Sequence, residues 1–199
     1  RTTRRFGKPE FGLPTTKVDG VEVAVREVPV LRKPFCDLIH FERDTDKVHP
    51  PVLVVAPMSG HHATLLRGTV QALLPEHDVY ITDWLDARKI PLSRGKFDLD
   101  DYISYLIEFM GHLGPHTHVM AVCQPTVPVL CAVSLMAQND DPNQPASMIL
   151  MGGPIDTTAA PTVVTELAEN KPLSWFERNV IQTVPAYYPG GLRQVYPGF

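Results

Sequence analysis

One residue in this chain stands where a nucleophile would be placed. Cys123 lies in Ala121-Val122-Cys123-Gln124-Pro125, between an apolar run at 118–122 and a segment with helical spacing at 126–138. That is the position of a nucleophile elbow, a sharp strand-to-helix turn that lifts one side chain above a sheet. The usual pattern there is G-x-S-x-G. Here cysteine replaces serine and neither glycine is present, although Ala121 is small and Pro125 suits a first helical turn. A thiol so placed can attack a carbonyl carbon. A bland alternative remains, since most free cysteines are packing residues. Cys131, among Val129, Leu130 and Val133, and Cys36, near a strand start, read as such.

Acyl transfer also needs donors for the developing oxyanion. The elbow supplies one, the backbone N–H after the nucleophile, here Gln124; a loop after an earlier strand supplies the other. Pro57-Met58-Ser59-Gly60-His61-His62 is that loop, with Met58 or Ser59 best placed to donate, though it also reads as a plain glycine turn. Trp84 and His61 are candidates to line a substrate pocket. All eight histidines precede Cys123, whereas in this kind of fold the acid and base follow the nucleophile. Acids do follow it, Asp156 and Glu166 among them, but no histidine does. Either an upstream histidine acts in an unfamiliar way or the base lies beyond residue 199, and the second is expected. His112, His116 and His118 do not form a metal set: Gly114-Pro115 breaks their helix and no carboxylate or thiol completes them. No glycine-rich phosphate motif is present.

Placing Cys123 requires a scaffold of buried strands and covering helices. Val21 to Val25 alternate with polar residues, and 37–43 is a weaker strand. The run 52–56 is wholly apolar and proline-bounded, as a central strand would be. A helix is expected over 63–74, a short strand over 79–82, and a helix opened by Asp98, Asp100 and Asp101, acids suited to a helix N-terminus. Then follow a strand at 118–122, a helix at 126–138 and a strand at 147–151. This alternation predicts an α/β fold, a mostly parallel sheet with helices on both faces. From Ile155 onward the chain turns into proline-broken helical pieces with Trp175, Phe176, Tyr187 and Tyr188. Residues 1–154 thus read as the N-terminal part of a core and 155–199 as the start of a cap.

Composition agrees with a folded domain: 44% of the 199 residues are hydrophobic and 20% charged. A net charge of -4 gives no basic footprint, so nucleic acid is not an expected partner. Three dispersed cysteines make no disulfide framework, and no run approaches the ~18 apolar residues of a membrane span. A cytoplasmic protein is expected. The 20 prolines punctuate apolar runs and form no low-complexity tract.

Several segments in order, Ala56-Pro57-Met58-Ser59-Gly60-His61, Leu65-Leu66-Arg67-Gly68-Thr69-Val70, Ile81-Thr82-Asp83-Trp84, Phe97-Asp98-Leu99-Asp100-Asp101-Tyr102, Val122-Cys123-Gln124-Pro125 and Met151-Gly152-Gly153-Pro154-Ile155-Asp156, closely resemble intracellular polyhydroxyalkanoate (polyhydroxybutyrate) depolymerases. The resemblance implies an α/β-hydrolase with Cys123 as nucleophile, and a sheet truncated before its last strands. It implies hydrolysis of a stored polyester through a thioester, no cofactor, and association with cytoplasmic granules. The family's aspartate and histidine have no counterpart in these 199 residues, which alone are expected to be inactive. Two other readings stand beside this one: a polyester synthase, disfavoured because the elbow lacks that enzyme's glycine, and a non-catalytic granule-binding piece. Oligomeric state is not legible.

Overall fold

A computed structural model describes residues 7–58 and 60–196. The chain starts with a hairpin, β1 (Thr15–Val18) and β2 (Val21–Arg32), joined by Asp19-Gly20, both at positive φ. This two-residue Asp-Gly connection is a common hairpin turn, and it explains a first strand that alternation alone did not reveal. β2 is longer than its alternating stretch. It runs through Pro29, where the pairing register with β3 (Cys36–Arg43) slips, the kind of irregularity that tolerates a residue without an N–H.

Next come β4 (Pro51–Val55), a 3-10 turn at Ala63–Leu66, α1 (Arg67–Leu73), β5 (Asp78–Trp84) and α2 (Leu99–Leu113). They lead to β6 (His118–Val122), α3 (Thr126–Gln138) and β7 (Ser147–Met151). The expected helix over 63–74 is thus a 3-10 turn followed by a shorter α-helix. Asp98 caps α2: its carboxylate accepts from the Asp101 N–H while Asp101 reaches back to the Asp98 N–H. Gly114, at φ 87, follows that helix's end.

Seven strands form one sheet in the order β1-β2-β3-β5-β4-β6-β7. β1, β2, β3 and β5 pair antiparallel, whereas β5, β4, β6 and β7 pair parallel. Side chains alternate across the sheet as the two-residue strand period requires. From β4, Leu53 and Val55 join the core beneath α2 and α3, while Val52 and Val54 join the core beneath α1, with Phe11 and Phe41. Helices therefore cover both faces, as the apolar run of β4 demands.

After β7 come α4 (Val163–Asn170), α5 (Leu173–Asn179) and a two-residue hairpin, β8 (Gln182–Thr183) with β9 (Gln194–Val195). Arg193, largely buried, ties this segment to the loop after β5: its guanidinium donates to the carbonyls of Ile90, Pro91 and Gly95. The Gly190 N–H donates to the Arg88 carbonyl in the same seam.

Candidate active site

The sheet order reverses direction at β4. The chain leaves β4 toward β5 on one side, then returns to β6 on the other, so the loops after β4 and β6 diverge. Such a switch point opens a crevice at the carboxyl ends of the strands. Both loops expected to carry chemistry emerge there, and they touch: the Met58 N–H donates to Gln124 Oε1 at 3.2 Å.

Cys123 has φ 67, in the left-handed region that a residue with a Cβ enters at a cost of about 1–2 kcal/mol. Local bonds hold it there. Its N–H donates to the Met151 carbonyl at 2.8 Å, extending the β6–β7 ladder by one residue. Its carbonyl accepts from the Thr126 N–H at 3.1 Å and from Thr126 Oγ1 at 2.9 Å. The backbone is thus fixed at both ends while the thiol is exposed. Thr126 is itself fully buried and faces Gly153, where any Cβ would lie 1.6 Å from Thr126 Oγ1. The glycine after β7 is there so that the two backbones can approach. Ala121, fully buried, fills the role its small size suggested.

The other two thiols are placed differently. Cys36 is fully buried on β3, where burial, with the nearby Asp83 charge, pushes its thiol well above the ordinary range. Cys131 packs beside the core on α3. Among the three, Cys123 is the exposed one.

The second loop is also braced. The Ala56 N–H donates to Thr82 Oγ1 at 2.9 Å, and the Ala56 carbonyl accepts from Trp84 Nε1 at 3.0 Å. Trp84 therefore anchors the base of this loop, its ring packed edge-on against Tyr102 and Phe97, while it also lines a cavity after β5. Met58 follows two residues on, its N–H directed at the elbow. Ser59, the other oxyanion candidate, lies outside the described residues. His61 is exposed on the same loop, but its neighbour His62 is the one that lines the cavity.

Six histidines lie away from the elbow, at the opposite end of the sheet. His40 bonds Asp78 at the start of β5, and His49 bonds Arg43. His77 precedes β5, His112 sits at the end of α2, His116 lies in the turn that follows it, and His118 opens β6. Only His61 and His62 share the carboxyl end with Cys123, and among the described residues no hydrogen bond links an imidazole to its Sγ. Sequence reasoning did not find the side chains of Gln124 and Thr126 as partners of the site, because their bonds depend on the elbow's three-dimensional course.

Residues 152–199 match the family model described as PHB de-polymerase C-terminus. Over that C-terminal segment the chain is similar to PHB depolymerases, and its fold is that of an α/β-hydrolase. An α/β-hydrolase enzyme from the metagenome of Lake Arreo, Spain, superposes with a TM-score of 0.50 at 14% identity, over 77% of this chain and 48% of that one. A bacterial heroin esterase gives 0.49 at 14% identity over 88% and 55%, and an esterase/lipase from an uncultured bacterium gives 0.48 at 16% over 77% and 52%. The chain spans about half the length of these structures. No curated protein sequence matches it. Among the described residues no helix is long and apolar enough to cross a membrane.

Proposed function

We propose that the protein is a carboxylic ester hydrolase that degrades polyhydroxyalkanoate, poly(3-hydroxybutyrate) in particular, with Cys123 as nucleophile. The observation that carries this reading is the exposed thiol of Cys123, at φ 67 between β6 and α3, next in the chain to Gln124, whose side chain meets the loop after β4. Cys123 Sγ attacks the ester carbonyl and forms a thioester with the 3-hydroxyacyl chain. The N–H groups of Gln124 and Met58 (or Ser59) hold the oxyanion. In the resting site Gln124 Oε1 accepts from the Met58 N–H, so substrate exchanges one oxygen acceptor for another.

Six histidines lie at the far end of the sheet, and among the described residues no hydrogen bond joins His61 or His62 to Cys123 Sγ; in this reading the base and its acid come from beyond residue 199, and the 199 residues alone are inactive. We assign 1–154 to the hydrolase core and 155–199 to the start of a cap. Val163, Val164 and Leu173 expose apolar side chains on α4 and α5, which suits contact with a water-insoluble polymer at the surface of a cytoplasmic storage granule. The test is release of 3-hydroxy acid from amorphous polyester by the full-length protein. Cys123→Ala abolishes release and Cys131→Ala retains most of it; equal activity in both variants sinks the assignment.

A further inference from the structure

Lys8, the turn after β2 and the loop after β5 line a half-open cavity of about 500 Å³ that the proposed chemistry has not used. Its volume is within the range of small-molecule sites. Its charge is unusual for a protein of net charge -4. Six cations line it, Lys8, Arg32, Lys33, Arg88, Lys89 and Arg94, against two acids, Asp83 and Asp86. Three of the cations have carboxylate partners: Lys8 pairs with Asp83, Lys33 with Glu108 and Arg88 with Asp86. Among the described residues Arg32, Lys89 and Arg94 have no carboxylate within ion-pair distance. Arg32 faces Asp37 across the β2–β3 ladder without bonding it.

The wall is built, not loose. Arg193 fixes the carbonyls of Ile90, Pro91 and Gly95, and Asp86 accepts from both the backbone and the guanidinium of Arg88. Concentrated positive charge on a braced wall is suited to an anion.

Its location selects which anion. The cavity lies at the end of β5, and β4 separates β5 from β6. With strands about 4.8 Å apart, its β5 wall stands roughly 10 Å from the line of β6, whereas Arg32, on β2, lies two strands farther away. A polyester of 3-hydroxy acids has four backbone bonds per repeat, or roughly 5 Å extended by ordinary bond lengths. Each such chain carries one carboxylate, at its acid end. We infer, resting on the polyester-hydrolase reading above, that this cavity is a subsite for the carboxylate terminus of the polymer, so that the enzyme cleaves one or two units from the acid end.

The orientation is consistent with the bonds that break. Cys123 Sγ bonds to the scissile carbonyl carbon, the carbon–oxygen ester bond breaks, and the thiol proton ends on the departing oxygen. The leaving group is then a short hydroxy acid whose carboxylate is held by Lys89 and Arg94, which follow β5. The thioester retains the long, hydroxyl-ended remainder. Water cleaves it, regenerating the thiol and a new carboxylate terminus, which slides into the same subsite.

The test uses the full-length protein and two probes: the linear trimer of 3-hydroxybutyrate as free acid and as its methyl ester. The free acid is expected to show kcat/KM roughly tenfold higher, the order of one charge-assisted hydrogen bond. Arg94→Met brings the two toward equality. Equal hydrolysis of acid and methyl ester by the parent overturns the subsite. Calorimetric titration with 3-hydroxybutyrate separates this outcome from failure of the catalytic reading. Binding that weakens on Arg94→Met supports the subsite even where neither trimer is hydrolysed, and absence of binding overturns it.

Discussion

Gly153→Ala is a one-carbon change whose consequence can be worked out. The new Cβ would lie 1.6 Å from Thr126 Oγ1, 2.5 Å from Thr126 Cβ and 2.6 Å from Cγ2. Rotating Thr126 about χ1 moves Oγ1 and Cγ2 but not its Cβ, so one backbone must shift. The same rotation breaks the bond from Oγ1 to the Cys123 carbonyl, worth about 1 kcal/mol. Overpacking of a buried position adds about 1–3 kcal/mol. Together these destabilise by about 2–4 kcal/mol, a fall of roughly 5–15 °C in Tm for a domain of this size. Displacing the elbow by about 1 Å also lowers ester hydrolysis on the order of a hundredfold. Thermal unfolding and initial-rate assays of the full-length protein read both effects. Thr126→Ala removes two of the three clashing atoms, so Gly153→Ala is less damaging in that background, with a coupling of about 1 kcal/mol or more. A Gly153→Ala protein with the parent's Tm and rate would refute the claim that Thr126 and Gly153 together hold the elbow.

Other changes test other parts of the account. Arg193→Met leaves the carbonyls of Ile90, Pro91 and Gly95 without their donor; we expect a loss of about 3 kcal/mol by urea denaturation and faster proteolysis in the loop after β5. Burial works to raise the Asp78 carboxyl, but hydrogen bonds from His40 and Tyr80 and the charge of Arg43 outweigh it and hold the group below its ordinary value. A lowered carboxylate stabilises the fold above its unfolded value near 3.8, and that contribution disappears as pH falls through the folded value. His40→Phe should therefore cost about 1 kcal/mol at neutral pH. Denaturation midpoints converge with the parent's once acid protonates Asp78 in both; a gap independent of pH would contradict the pairing.

Legibility in the sequence followed how local each feature's cause is. β6, α3 and β7 lie at the residues expected, since an unbroken apolar run or a helical repeat with clear stops specifies each. The elbow was legible for the same reason, because Cys123 falls in the short gap between two such segments. β1 was not, as four residues show too little alternation, although Asp19-Gly20 was a usable hairpin signal. The proline-broken character after 155 was visible, but the two-residue strands β8 and β9 exist only through their pairing. The basic cavity had no sequence signal: its cations come from 8, 32–33 and 88–94 and meet only because β2, β3 and β5 are neighbours in the sheet. Gln124 was read for its backbone N–H, whereas the contact of its side chain with Met58 depends on the crossing at β4.

The most direct measurement is acyl-enzyme trapping on the full-length protein. Brief incubation with a 3-hydroxybutyrate oligomer, acid quench and peptide mass spectrometry would find the 3-hydroxyacyl group on the peptide carrying Cys123, as a thioester that hydroxylamine removes. Cys123→Ala should leave that peptide unmodified and abolish hydrolysis. Acylation at another residue, or hydrolysis that survives Cys123→Ala, would contradict the account.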